Sequence, residues 1–378
     1  MRIGIDGVNA GAGRTGMGVM VLQTLRVMAR EHPEHEYLVY FPRGQEPGEL
    51  AELGEVTSQI TLRVLPKVPY PIWEQLLLPA ATRRDRLDVL WCPYNTAPLV
   101  LRVPLLVTVH DVIYMGGRWT DPPSWYKRFG KLYRRVIVPH ATRRAAVIAT
   151  VSDFAKAAIE DAFPWSRGKL RTVYLGVERV PSTSAEGWRA MADRLGVRGS
   201  FFLGHCSSEP RKNFRGLVEA YRRFLEECPA GPELVIFGYK DFDGSPDDQW
   251  MAAREVKATV LGFVTDEEKH ALFAHCVAFV FPSLAEGFGL PVVEAFDHAV
   301  PVITSATTSL GEVAGEAAIK VQPDDSAQIA EAMRAVVDDQ AFAAQMARRG
   351  AQRAERFRWS ETSRQLIALL RSAARVSR

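Results

Sequence analysis

An alternation runs through this chain from end to end, and it fixes the fold class. Short, continuous β-rich runs recur between longer amphipathic segments. "RIGID" (2–6), "EYLVYF" (36–41), "DVLW" (88–91), "PLLVTV" (104–109), "AVIAT" (146–150) and "RTVY" (171–174) form a first series. "SFFLG" (200–204), "ELVIF" (233–237), "TVLGF" (259–263), "AFVFP" (278–282) and "AAIKV" (317–321) form a second. The runs are continuous instead of alternating, as strands of a parallel sheet are when helices cover both faces. Helical patterns fill the gaps at 17–31, 152–162, 213–228 and 325–338. The reading is α/β: two Rossmann-like domains with parallel sheets, facing one another across a cleft.

Length agrees, since 378 residues exceed one ordinary core. The break falls in "GVERVPSTSAEGW" (176–188), rich in Pro, Ser and Thr. The expected division is a first domain at 1–180, a hinge segment at 181–199 and a second domain at 200–358. The segment 359–378 reads as an amphipathic helix capped by Ser360. Ligands of open α/β sheets bind at the carboxyl ends of the strands, which directs attention to the loops that follow them.

Composition excludes several function classes. Hydrophobic residues at 47% and charged residues at 24% are those of a soluble globular protein. No apolar run approaches the roughly 20 residues of a membrane span, and "MRIGIDG" reads as a strand, not a signal peptide. Cys92, Cys206, Cys228 and Cys276 lack C-x-x-C spacing, which implies reduced thiols and a cytoplasmic location. Net charge is only +3, yet residues 1–178 carry 23 Lys and Arg against 17 acids. The excess concentrates in "YKRFGKLYRRVIVPHATRRAA" (126–146), with no acid between Asp121 and Asp153. That stretch reads either as a solvated helix face or as peripheral contact with anionic lipid at the inner face of the membrane. Nucleic acid is not expected as a partner of a chain this close to neutral.

The most informative stretch is "FVFPSLAEGFGLPVVEAF" (279–296). A strand ends at Phe281-Pro282, Glu286-Gly287-Phe288-Gly289 forms a loop, and Leu290-Pro291 opens a helix containing Glu294. Glycines leave backbone amides open to a ligand, and a helix start adds positive potential. Such a site suits a phosphorylated polyol, with Glu286 and Glu294 accepting hydroxyls; two acids near a helix start also serve as dipole compensation. In "GHCSSEPRKNFRGL" (204–217), Arg211 and Lys212 stand at a helix start, where cations call for an anion. They read as a diphosphate clamp or as an exposed basic turn. In "TVHDVIY" (108–114), His110 follows a buried strand, as a ligand-facing group or as a satisfied structural histidine.

Other motifs carry less. Gly11-Ala12-Gly13-Arg14-Thr15-Gly16 is a literal G-x-G-x-x-G, but four residues separate it from its strand and the next strand offers no ribose-binding acid, so NAD binding by an oxidoreductase is the minor reading. Asp241-Phe242-Asp243 reads as a surface loop. His32 and His35 flank Pro33 and cannot share a helix face, so no metal site is expected.

Together these stretches resemble the retaining glycosyltransferases of family 4, with the GT-B fold. Glu286 to Glu294 matches the family's E-x7-E motif, and "EPRKN" (209–213), "TVHD" (108–111), "ATVSDFAK" (149–156), "RTGMG" (14–18) and "SLGEVAGEAAIKVQPDD" (309–325) fall in the expected order. "WEQLLLPAATRRDRLDVLWCPYNTAPL" (73–99) looks most like bacterial mannosyltransferases of surface-polysaccharide assembly. The resemblance implies transfer of a hexose, mannose, from a GDP- or UDP-sugar to a glycan or lipid-linked acceptor, with no metal and no cofactor. A catalytically idle homologue that binds nucleotide sugar is the alternative. The resemblance implies Glu286, Lys212 and His110 as the catalytic set. It further implies donor contacts from Gly16, Arg211, Lys212, Phe263, Val264, Glu286, Gly287, Phe288, Gly289, Leu290 and Glu294. It also implies that the terminal helix crosses back onto the first domain. Many relatives have an arginine or a small polar residue where this chain has His205-Cys206, which leaves the division of work between Arg211 and Lys212 open.

Overall fold

The structure, a computed structural model, describes residues 1–10, 16–44, 59–116, 125–178 and 184–376. The chain forms two compact units, one of Met1–Gly176 with Arg358–Arg378 and one of Val177–Phe357.

The first unit is built on a seven-stranded sheet in the order β3-β2-β1-β4-β5-β6-β7. Its strands are β1 (Arg2–Asp6), β2 (Glu36–Pro42), β3 (Ile60–Leu65), β4 (Val89–Cys92), β5 (Leu105–Thr108), β6 (Val147–Thr150) and β7 (Leu170–Thr172). Every pairing is parallel. β1 lies between β2 and β4, with Ile3 opposite Tyr37 on one side and Val89 on the other. Both faces of the inner strands β1, β2, β4, β5 and β6 are buried, so they do not alternate apolar with polar residues. β3 is absent from the sequence expectation. It is the edge strand, and its Thr61, Leu62, Arg63 and Val64 reach solvent in part, so no apolar run marks it.

The helix Trp359–Arg375 packs within this unit on the helix Gly16–Glu31 and on β4, β5 and β6, burying Leu366, Ile367 and Leu370. It starts one residue before Ser360, which therefore does not cap it; Arg358 stands at the cap without a side-chain bond. At Gly176 the chain passes so close to this helix start that a Cβ there would lie 2.1 Å from the Trp359 nitrogen.

The second unit has six parallel strands in the order β10-β9-β8-β11-β12-β13. They are β8 (Phe201–His205), β9 (Glu233–Phe237), β10 (Thr259–Val260), β11 (Ala278–Phe281), β12 (Val302–Ser305) and β13 (Ile319–Val321). The helix Phe214–Glu227 lays Phe214, Leu217, Val218, Tyr221 and Phe224 onto this sheet at helical spacing. β12 also escaped the sequence reading. Its "VITS" is half polar, and it is buried because its hydroxyls are spent inward: Thr304 Oγ1 donates to the Phe281 carbonyl at 2.9 Å and Ser305 Oγ to the Ser283 carbonyl at 2.6 Å. Within the expected hinge, Ala185–Leu195 is a helix of the second unit, capped by Ser184 and ended by Gly196 at φ +73°. Among the described residues no helix is long and apolar enough to cross a membrane.

Strand order reverses between β1 and β4 in the first sheet and between β8 and β11 in the second. At such a reversal neighbouring loops diverge to opposite faces and leave a crevice at the carboxyl ends.

Candidate active site

In the second unit, the loops after β8 and β11 bring the sequence-marked residues together. After β8 the chain makes a single 3-10 turn, Pro210–Lys212, and then enters the helix at Phe214. Arg211 and Lys212 thus precede the helix instead of opening it. The anion they call for is partly supplied by the chain. Arg211 pairs with Glu209 at 2.7 Å and its Nη1 donates to Glu286 Oε2 at 2.7 Å; Lys212 Nζ stands 2.8 Å from Glu286 Oε1. Glu286 is buried, which by itself disfavours its charge. The Lys212 and Arg211 cations outweigh that penalty and hold its pKa at about 2. Oε1 faces the Lys212 ammonium, which takes one of its lone pairs and leaves the second, so this ionised, buried carboxylate can still accept from a hydroxyl on Oε1.

Asn213, unremarked in the sequence reading beyond its place in "EPRKN", holds this turn. Its φ is +57°, and its Nδ2 donates to the carbonyls of Pro282 at 2.9 Å and Pro323 at 2.5 Å. It thereby ties the cationic turn to the loops after β11 and β13. The signal was present in the sequence: asparagine is among the few residues that tolerate a left-handed conformation.

The loop after β11 ends at Gly289, φ +100°, which caps the helix Leu290–Asp297. A Cβ at Gly289 would lie 2.4 Å from Leu310 Cδ2. Phe288 is buried and packs edge-on against Phe357 at 5.8 Å, so this residue offers a ligand its backbone and not its ring. Glu294 sits in the second turn of the helix, too far from its start for dipole compensation. Its Oε1 accepts from Lys269 Nζ at 2.7 Å, an ion pair the sequence reading missed. Phe263 and Val264 follow β10; Phe263 is 74% exposed.

His205 ends β8 between the rings of Phe237 and Phe281, at 4.8 and 5.8 Å between centroids. Burial, reinforced by the Lys212 cation, lowers its pKa to about 3, so it is neutral. Its buried Nδ1 has no partner among the described residues.

The other two site residues belong to the first unit. Gly16 opens its helix with no atom of the described residues within 4 Å of its Cβ position; Gly11 to Thr15 of the glycine motif lie outside the described residues. His110 follows β5 and is buried. Its Nε2 is 2.7 Å from the Pro93 carbonyl, which can only accept, so the ring donates there and keeps Nδ1 as an acceptor. Burial lowers its pKa and the Pro93 bond opposes that only in part.

Close to the end of β1, Asp6 Oδ1 accepts from Trp73 Nε1 at 3.0 Å. The neighbouring Glu74 takes Tyr70, Tyr133, Thr96 and Gln75 as donors. Both come from the π-helical segment Trp73–Leu77.

Asp241 and Asp243 are exposed on either side of a buried Phe242, which makes the D-x-D a surface turn. Among the described residues no group of three or more His, Cys, Asp or Glu is placed to hold a metal ion.

Comparison with known proteins identifies the family and the fold. Residues 14–179 match the family model described as Glycosyltransferase Family 4, and residues 198–339 match the one described as Glycosyl transferases group 1. O-antigen chain mannosyltransferase B of Escherichia coli is 31% identical over 270 residues, which is 69% of this chain and 68% of that protein. The serotype-specific mannosyltransferase WbdA of Escherichia coli is 31% identical over 188 residues, 48% of this chain and only 23% of that longer protein. Among solved structures, Anabaena HepE in complex with UDP and glucose superimposes with a TM-score of 0.74 at 20% identity, covering 98% of this chain and 100% of that one. Its agreement is in fold. With a glycosyltransferase model matching each half and a mannosyltransferase aligned over two thirds of its own length, the chain belongs to the family 4 glycosyltransferases and has the GT-B fold.

Proposed function

We propose that this glycosyltransferase moves a hexose, mannose, from a GDP- or UDP-sugar to a glycan or lipid-linked acceptor of polysaccharide assembly, with retention at the anomeric carbon. One observation carries the reading: two cations and a buried carboxylate converge where strand order reverses between β8 and β11. The mannosyltransferase relatives support the sugar, and the UDP complex of a GT-B neighbour supports the donor class.

The chemistry follows from charge. The bond from the anomeric carbon to the diphosphate oxygen breaks, leaving positive charge on the sugar and negative charge on the diphosphate. Lys212 and Arg211 stabilise the departing diphosphate, together with the amides of Gly287, Phe288, Gly289 and Leu290. Glu286 accepts a sugar hydroxyl on Oε1 and stabilises the cationic ring. Glu294 accepts the ribose hydroxyls, Phe263 and Val264 contact the base, and Gly16 lies beside the phosphates. His110 presents Nδ1 to the reacting sugar. The acceptor hydroxyl bonds to the anomeric carbon from the face the diphosphate leaves, and its proton passes to the diphosphate oxygen. These cations supply the charge that a metal supplies elsewhere, so activity is expected to survive EDTA.

Purified protein should transfer mannose from GDP-mannose, or another hexose from its UDP-sugar, with an α donor giving an α product by proton NMR. Folded Glu286→Ala and Lys212→Ala variants should lose about 100-fold or more in kcat. Full transfer by both would overturn the assignment.

The helix Trp125–Arg144 supports a peripheral membrane contact. Phe129, Leu132 and Val136 are 47%, 59% and 50% exposed on one stripe of this basic, acid-free helix. Exposed apolar side chains flanked by Arg and Lys suit an anionic lipid surface. Sedimentation with phosphatidylglycerol vesicles, and not with phosphatidylcholine vesicles, is expected, and replacing the three apolar residues by serine should abolish it.

A further inference from the structure

Lys269 is the partner of Glu294. It lies on the helix Asp266–His275, whose start is locked by a complete capping box. The Thr265 side chain takes the Glu268 amide, and the Glu268 side chain takes the Thr265 amide. Glu268 is further held by Arg194 at 2.6 Å. Only Val264 separates this box from Phe263. From that fixed base Lys269 reaches Glu294 Oε1 at 2.7 Å and Asp266 at 3.4 Å. The Lys269 and Glu294 side chains are only 16% and 12% exposed. The next residue, His270, meets through Nδ1 the Nε2 of His298 at 2.8 Å, one turn beyond Glu294 at the end of its helix, and adds a second contact.

A lysine placed on a mostly buried carboxylate fixes which oxygen is occupied and which remains open. We propose that Lys269 is a positioning residue of the nucleoside site: it takes Glu294 Oε1 and leaves Oε2 oriented to accept the ribose hydroxyls. The pair also joins the segment after β10 to the helix carrying Glu294, so the base and the ribose are read by one coupled unit. This rests on Glu294 binding ribose, as proposed above.

The test is calorimetric titration of GDP and UDP, each beside its 2′,3′-dideoxy counterpart, into the full chain and its Lys269→Met, Lys269→Arg and Glu294→Ala variants. Folding of each variant is confirmed by its melting curve. Lys269→Met should weaken the preferred nucleotide about tenfold and leave its dideoxy counterpart unchanged, because no diol is then present for Glu294 to grip. Lys269→Arg should recover most of the loss. Equal weakening of both nucleotides, or no weakening, alongside a Glu294→Ala variant that does lose the preferred nucleotide, overturns the role of Lys269 alone. A Glu294→Ala variant that still prefers the ribonucleotide removes Glu294 from the ribose and overturns both.

Discussion

Glu286 and Lys212 face one another across the strand reversal between β8 and β11, with 2.8 Å between carboxylate and ammonium. The contact reverses what burial alone does to Glu286. Its folded pKa is about 2 against an ordinary 4.5, so its stabilising share is complete above pH 4.5 and is lost as pH falls toward 2. That share is on the order of 3 kcal/mol. Urea unfolding midpoints measured between pH 6 and pH 2.5 should show this acid-labile component in the wild type. Glu286→Gln should lack it and be less stable at pH 6, because Arg211 and Lys212 then lose their shared counter-charge. An unaltered pH slope in Glu286→Gln would falsify the ion-pair account.

Asn213 is the brace of the same cluster. Replacing it by glycine keeps the left-handed backbone and removes the bonds to Pro282 and Pro323, whereas alanine removes the bonds and strains the backbone as well. Two lost hydrogen bonds cost about 1–3 kcal/mol together. Alanine should cost about 1 kcal/mol more than glycine. Both variants should lower kcat/KM, since the turn carrying Lys212 is freed from its anchors. Denaturation midpoints that rank glycine below alanine would contradict the backbone part of this account.

What the sequence disclosed and what it hid follow one rule. Buried parallel strands such as "VLWC" and "AFVF" were legible because both faces shed water and left a continuous apolar signature. β3 and β12 were not, because one is half exposed at an edge and the other spends its polar side chains on carbonyls. Glycines and carboxylates of the loop after β11 stood out because they are local in sequence. The partners of those carboxylates did not: Lys269 reaches Glu294 from another helix, and nothing in "TDEEKHALF" distinguishes it from a solvated lysine. Arg211 and Lys212 were seen as cations awaiting an anion, yet that the chain itself supplies one required the fold. Trp73 and Glu74 open the stretch that resembles mannosyltransferases, but their place beside Asp6 depends on a π-helical segment with no local code.

Gly289 and Gly176 make a contrasting pair. At Gly289 a methyl group meets a movable Leu310 side chain, but φ of +100° is itself hostile to alanine. Gly289→Ala is therefore expected to cost about 1–2 kcal/mol and to disturb donor binding at the loop it caps. At Gly176 the obstacle is backbone, 2.1 Å from the Trp359 nitrogen, and it can move only if the terminal helix moves. Gly176→Ala should cost more than Gly289→Ala and show first as faster hydrogen exchange in Trp359–Arg375. Its effect on nucleotide binding should be the smaller of the two. Exchange unchanged in that helix would contradict the close approach.

Asp6 behaves opposite to Glu286. It is buried, Trp73 and the Val8 amide satisfy only Oδ1, and Oδ2 has no partner among the described residues. Burial is the largest influence and the charge of Glu74 adds to it, raising the Asp6 pKa from 3.8 to about 7. The unfolded chain therefore releases this proton first, and stability falls as pH rises from about 4 to 7. The loss is on the order of 4 kcal/mol for a fully buried group. Asp6→Asn keeps an oxygen for Trp73 and cannot ionise, so its unfolding midpoint should decline less than that of the wild type between pH 5 and pH 8. Glu286 does not titrate in that window, which isolates the effect, and Glu74 remains in both proteins. Parallel midpoints for wild type and Asp6→Asn across that window would show that Asp6 is not the group that burial holds protonated.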